Sequence, residues 1–392
     1  MKTFAATAIV CCFTVWSVEA QPAPGRGAPM APPVRSPEVS ADRRVTFRLR
    51  APNAREVNVN LSGAGRIAMQ KDDQGVWSAT TDALAPDIYE YSFSVDGANF
   101  SDPRNPAMKT AFKSGGGSIV TVPGGMSWEP ANVPRGAVTH HFYHSAIVGD
   151  DRDFYVYTPP GYDSARKQAY PVLFLLHGLG DEASGWLTVG AANVILDNLI
   201  AQGKAKPMVM VNTLGYGAPE MVAGGGRGGM NAPGIMEKNN ELFARALLEE
   251  VLPQVEKQYH VSKDRGQRAI AGLSMGGAEA LFTGLNHIDR FAYVASFSGA
   301  FVMWNSGPRT PEGLDPATFP KTFPALDAKA AAPLKLLWIS CGTEDGLIGV
   351  NRQFKGWLKQ RNIGFKEIEK PGAHTWTVWR HDLTDLAPLL FQ

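Results

Sequence analysis

Ala269-Ile270-Ala271-Gly272-Leu273-Ser274-Met275-Gly276-Gly277 is the stretch on which the reading turns. An apolar run enters Gly-x-Ser-x-Gly, and a helical pattern follows over residues 278–285. A serine on a sharp strand-to-helix turn needs small neighbours, because larger side chains collide across the bend. In a chain with 41 glycines a bare match means little. This match is the only one in the sequence, and it has the strand before it and the helix after it. Ser274 is therefore the candidate nucleophile.

Outward from this stretch the chain alternates strand-like and helix-like segments. The runs DFYVYTP, PVLFLLH, PMVMVNTL, AYVASFS and LKLLWISC are short and rich in Val, Ile, Leu and aromatics, and several are nearly continuous apolar, as strands covered on both faces are. Helical patterns over 194–202, 240–259 and 350–361 fall between them. The alternation predicts an α/β domain with a mostly parallel sheet from about residue 139 to the C-terminus.

A serine hydroxyl needs an imidazole to take its proton, and the imidazole needs a carboxylate to fix its tautomer. Asp345 follows the strand-like run ending at Cys341, with Glu344 as the competing acid. His374 lies in a loop after the last expected strand, FKEIEK; His381 is a rival base in a helical setting. The order Ser274, Asp345, His374 is that of α/β-hydrolases. The His177-Gly178-Leu179-Gly180 loop after a buried strand points to Leu179 as one backbone donor to a developing oxyanion, with Met275 as the other. His177, upstream of the serine, reads as a residue that holds its loop. Trp186, Tyr216, Trp304 and Trp376 make the neighbourhood rich in aromatic rings, either as core or as a surface on which a ligand ring could stack.

Residues 44–122 differ. VTFRLRAP, EVNVNLSG, GVWSATT and IYEYSFSVDG alternate apolar and polar residues between Pro-Asn, Gly and Asp-Gly turns. That pattern predicts a small all-β, immunoglobulin-like sandwich over 39–125. The Pro/Gly-rich stretch 126–138 reads as a linker to the 139–392 domain, and 21–38 as a flexible leader. Lys2, the apolar run 4–15 and Val18-Glu19-Ala20 read as a signal peptide cleaved near Ala20, so the chain is expected in the periplasm or outside the cell. That apolar run is too short to span a membrane, and no other segment approaches the length.

Charge and cysteine content exclude other classes. Lys plus Arg is 38 against 37 Asp plus Glu, a net charge of +1, which leaves no basic excess for nucleic acid. Three cysteines, Cys11, Cys12 and Cys341, rule out a disulfide scaffold and a Cys-rich metal site. His140 and His144 fall on one face of a strand, but no acidic or Cys cluster accompanies them, so no metal and no cofactor is expected. The glycine-rich 224–229 stretch lacks phosphate-loop grammar.

RDFYVYTPPGYD, YPVLFLLHGLGDEASGW, LLEEVLPQVEKQYHVSKDRGQRAIAGLSMGG, LLWISCGTEDGL and GAHTWTVWRHDLTDLAPLLF together resemble carbohydrate esterase family 1, the feruloyl, acetyl-xylan and enterochelin esterases and esterase D. Ala373 departs from the pattern, since many relatives carry a second glycine before the histidine. VTFRLRAPNAREVNV, GVWSAT, YEYSFSVDG and Asp102-Pro103-x-Asn105 resemble the sandwich of carbohydrate-binding module family 48. The resemblance implies an α/β-hydrolase fold behind that sandwich and a secreted serine carboxylesterase acting on a plant-polysaccharide ester, a feruloyl ester foremost. Acetyl-xylan or siderophore esterase is the alternative on the same machinery. A glycan-binding protein with a retired hydrolase domain would show a broken triad, and none is broken here. Glycan binding by the sandwich does not follow from the resemblance.

Overall fold

The computed structural model describes residues 34–222, 228–304 and 313–392. The expected signal peptide, most of the leader and part of the 224–229 stretch lie outside the described residues. Arg35–Gln392 pack as one unit.

The C-terminal part is built on an eight-stranded sheet. Its strands are β1 (Ala137–Ser145), β2 (Asp150–Thr158), β3 (Val172–Leu176), β4 (Val209–Thr213), β5 (Arg268–Leu273), β6 (Tyr293–Phe297), β7 (Leu336–Gly342) and β8 (Lys366–Lys370). They lie in the order β1-β2-β4-β3-β5-β6-β7-β8. β2 pairs antiparallel with β1 and β4, and every pairing from β4 to β8 is parallel. β3, β4, β5 and β6 are buried at every residue, which explains why they are mostly apolar.

Successive residues face opposite layers. Val172, Phe174 and Leu176 enter one core with helices α2 (Ile235–Arg245), α3 (Ser274–Asn286) and α4 (Ile348–Gln360). Leu173 and Leu175 enter the other, with α1 (Ala192–Ala201) and α5 (Trp376–Leu386). The helical pattern read over 240–259 begins earlier, as α2, and runs through a π turn at Ala246–Val251 to Gln258. Glu250 in that turn accepts from Ser145 Oγ (2.6 Å) and the Ile147 N–H (3.1 Å), pinning the β1–β2 hairpin. None of the helices among the described residues is long and apolar enough to cross a membrane.

The sandwich has one sheet with strands 38–39, 45–50, 76–80 and 70–71, and a second built on Val57–Leu61, Asp87–Val95 and Ser114–Val122. Alternation sends Val45, Phe47 and Leu49 inward to meet Val59, Tyr91 and Phe93 of the facing sheet. Strands at Met108–Ala111 and Ser114–Val122 were not anticipated; their glycines and polar residues hide the period.

The stretch read as a linker is docked rather than free. Trp128 is buried, and Asn198 of α1 donates to the Ser127 and Glu129 carbonyls at 2.8 and 2.9 Å. Arg380 of α5, fully buried, donates to Asp87 Oδ1 of the sandwich from two nitrogens (2.8 and 2.6 Å) and to the Ile88 and Val189 carbonyls. Ile88 packs in the core between the sheet and α1 and α5, so the two parts share apolar as well as ionic contacts.

Candidate active site

Every group the sequence singled out for bond chemistry sits beyond the C-terminal end of a parallel strand, where open α/β sheets leave their crevice. Ser274 follows β5 and opens α3 with φ of +70°, a left-handed conformation that only tight surroundings hold in a non-glycine residue. The surroundings are tight because the neighbours lack side chains. A Cβ on Gly272 would lie 2.3 Å from the Gly276 carbonyl oxygen, and one on Gly276 would lie 2.4 Å from that of His177. The Gly276 N–H donates to the His177 carbonyl (3.0 Å), tying the elbow to the neighbouring loop.

The Ser274 hydroxyl lies 2.9 Å from His374 Nε2, and His374 Nδ1 lies 2.8 Å from Asp345 Oδ2. Asp345 is buried, and its other oxygen accepts from the Leu347 N–H (2.8 Å). Burial works against its charge. The His374 hydrogen bond and charge, then the Leu347 N–H, outweigh that and hold its carboxyl below the ordinary carboxylate range. Glu344 is exposed, and its side chain accepts only from neighbouring Thr343 (3.3 Å) among the described contacts. His381 is exposed and packs edge-on against Trp128, away from the serine. The three groups therefore form one hydrogen-bonded chain in which Ser274 can give its proton to a neutral imidazole.

The His177-Gly178-Leu179-Gly180 loop faces the elbow. Leu179 lines the same cavity as Ser274. The Gly178 carbonyl accepts from His177 Nδ1 (2.8 Å) and from the Asp181 N–H (3.1 Å). A peptide is planar and trans, so fixing that carbonyl fixes the Leu179 N–H pointing the opposite way. His177 Nε2 accepts from the Gly215 N–H (2.9 Å), which leaves Nδ1 as the protonated nitrogen. Burial pulls the His177 imidazole down to about 4, so it stays neutral and keeps this tautomer. Met275, in the first turn of α3, carries an N–H that has no partner within its own helix.

The cavity holds about 480 Å³ and has Trp376, Trp379, Met303 and Val302 on its apolar side. Of the four aromatic candidates only Trp376 lines it. Trp186 is fully buried beneath the loop, its indole N–H on the Leu176 carbonyl (2.9 Å) and its ring against Trp376. Tyr216 is fully buried, with its hydroxyl accepting from the Gly180 N–H (2.8 Å) and donating to the Asp181 carbonyl (2.9 Å). Trp304 packs among Phe301, Phe323 and Phe354, its N–H on the Ala278 carbonyl (3.1 Å). None of these three lines the cavity, and each ring packs inside the fold, so they are structural. Sequence reasoning missed Val302, Met303 and Trp379, and also Ser62, Glu90 and Lys109, which come from the sandwich.

His140 pairs with Asp153 (2.7 Å) and His144 with Asp151 (2.9 Å) across the β1–β2 ladder. No group of three metal-ligating side chains occurs among the described residues.

Residues 145–390 match the Esterase family model, and residues 35–109 match that of carbohydrate-binding module 48, the isoamylase N-terminal domain. A protein of Xylanibacter ruminicola named endo-1,4-beta-xylanase/feruloyl esterase is 30% identical over 370 residues, covering 91% of this chain. The chain spans 46% of that relative's length. A solved ferulic acid esterase is 26% identical, with a TM-score of 0.54 over 66% of this chain and 99% of its own. The enterochelin esterase of Shigella flexneri, at 19% identity, shares the fold over 91% of this chain and 95% of its own, with a TM-score of 0.67.

Proposed function

The chain belongs to the Esterase family, and on that premise we propose a secreted serine carboxylesterase that acts on plant cell-wall polysaccharide esters, feruloyl esters foremost. The observation that carries this reading is the hydrogen-bonded series Ser274–His374–Asp345 beside a cavity with an apolar indole wall. Ser274 Oγ attacks the ester carbonyl as His374 Nε2 takes its proton, while Asp345 steadies the imidazolium through Nδ1. The carbonyl oxygen becomes an oxyanion held by the Leu179 and Met275 N–H groups, each donor contributing about 3–4 kcal/mol to the transition state. The imidazolium returns its proton to the leaving sugar oxygen, and an acyl-serine remains. Water, deprotonated by the same imidazole, releases the acid and restores Ser274.

The Trp376 and Trp379 indoles and the Met303 side chain suit a flat phenolic acyl group. The xylanase/feruloyl esterase relative supports the choice of polymer. The signal peptide read over residues 1–20 supports export.

The test is hydrolysis of methyl ferulate, p-nitrophenyl acetate and a catecholate siderophore by the full chain and four variants. Ser274→Ala, Asp345→Asn and His374→Ala are expected to lose at least ~10³-fold in kcat with an unchanged circular dichroism spectrum, because the three act as a unit. Glu344→Gln should remain within about twofold of the parent, as exposed side chains away from the reacting atoms do. Near-parental turnover by folded Ser274→Ala refutes the mechanism. Preference for the siderophore over methyl ferulate refutes the substrate assignment and leaves the mechanism standing.

A further inference from the structure

Besides Ser62 and Glu90, the sandwich meets the active site through the strand Met108–Ala111 and its continuation Phe112–Lys113. Lys109 Nζ bridges Asp181 Oδ1 (2.5 Å) and Glu90 Oε1 (2.7 Å) at the wall of the cavity and lies 5.9 Å from the Trp376 ring centre. Thr110 bonds the Glu182 carboxylate and the Ser184 hydroxyl (3.1 Å). The Phe112 N–H donates to the Gly180 carbonyl (3.1 Å), and the Phe112 ring stacks on Tyr216 with centres 4.4 Å apart. Tyr216 in turn holds Gly180 and Asp181 from beneath.

All of these contacts converge on residues 178–184, the loop that carries the Leu179 N–H. The connection to that N–H is short. Lys109 fixes the Asp181 side chain, the Asp181 N–H fixes the Gly178 carbonyl, and that carbonyl fixes the Leu179 N–H across one planar peptide. Gly180, at φ of +87°, is a residue whose backbone would otherwise move freely; it is bonded at its carbonyl by Phe112 and at its N–H by Tyr216.

We infer that the sandwich strand is part of the oxyanion machinery, with Lys109 as a positioning residue that aims the Leu179 N–H through Asp181. This inference rests on the serine-esterase reading above. A donor must lie near 3 Å from the place where negative charge develops, and an error of about 1 Å at such a group costs up to ~10²-fold in rate. Asp181 is nearly buried, so without Lys109 it faces Glu90 and Glu182 with its own charge uncompensated. Lys109 is thus the counter-charge that lets the loop sit where the site needs it.

The test compares Lys109→Met, Lys109→Arg and Thr110→Val in the full chain, on p-nitrophenyl acetate and methyl ferulate. For Lys109→Met a fall of at least ~10-fold in kcat is expected, alike on both esters, with KM within about threefold, because transition-state contacts are lost and ground-state binding is kept. Lys109→Arg should restore most of kcat, since it supplies the same counter-charge to Asp181. Thr110→Val, exposed and isosteric, should fold and lose kcat in the same pattern to a smaller degree; it keeps the question answerable if Lys109→Met does not fold. A loss confined to KM, or to methyl ferulate alone, makes Lys109 a substrate contact and overturns the inference. Unchanged kcat in folded Lys109→Met and Thr110→Val overturns it too. In either case the parent's activity and its loss in Ser274→Ala would still stand, so the two readings fail separately.

Discussion

Asp87→Ala would strike the joint between the two parts of the molecule. Arg380 has no exposed surface, and Asp87 Oδ1 takes hydrogen bonds from two of its nitrogens at 2.8 and 2.6 Å. Removing the carboxylate leaves a guanidinium in the interior with the Ile88 and Val189 carbonyls as its remaining hydrogen-bond partners and the Trp128 ring 5.6 Å away. Breaking one side of a buried pair costs ~3–5 kcal/mol, and the two surviving carbonyls place this case near the lower end. At roughly 2 °C per kcal/mol for a large domain, the melting temperature should fall by about 6 °C. Differential scanning calorimetry of the full chain measures it. The double variant Asp87→Leu with Arg380→Met removes both charges, and it should recover more than half of the loss, because an apolar pair of similar size avoids the stranded charge. A single variant that melts within about 1 °C of the parent would show that the pair does not hold the joint. A double variant less stable than Asp87→Ala would show that charge is not the reason.

Two further outcomes follow from the elbow and the triad. Gly276→Ala places a methyl group 2.4 Å from the His177 carbonyl oxygen, where only backbone could give way, so kcat on p-nitrophenyl acetate should fall by at least ~10²-fold with a lower melting temperature; Gly349→Ala on α4 has nothing within 4 Å and should melt no lower than the parent. As for pH, Asp345 is held below the ordinary carboxylate range, so it stays ionised as pH falls to 5, and any stability it lends is lost only at lower pH. The acid limb of kcat/KM above pH 5 should therefore fit one proton, and a limb that fits two would show that Asp345 titrates with the base.

The catalytic candidates were legible because each follows a strand-like segment and the three stand in one chain order. Ser274 and Asp345 follow apolar runs at strand ends, and His374 follows the short charged strand FKEIEK. Chain order admits Glu344 as readily as Asp345, and the 2.8 Å contact with His374 Nδ1 decides between them. The aromatic candidates were not legible in this way. Trp186 and Trp304 are aromatic residues near conspicuous segments, but spacing does not reveal whether a ring faces a cavity or a core; their indole N–H groups end on the Leu176 and Ala278 carbonyls inside the fold. Lys109 was invisible for a different reason. Its partner Asp181 lies 72 positions along the chain and belongs to another domain, and no period connects them. The same holds for Trp128, which composition placed in a linker and the structure buries.

Cys341 sits in β7, four residues before Asp345, almost wholly buried, and burial first of all pushes its thiol up to about 12. A thiol so placed is inert while the sheet is closed and reactive only when the strand opens. In a chain with Cys11 and Cys12 replaced, labelling by a soluble thiol reagent would thus act as a clock on the central sheet. Its rate under native conditions gives the opening equilibrium of β7, in the way that amide exchange does for a backbone site. Ligands that tighten the cavity above the strand end would slow that clock, so occupancy of the site could be timed from a sulfur atom that never touches it.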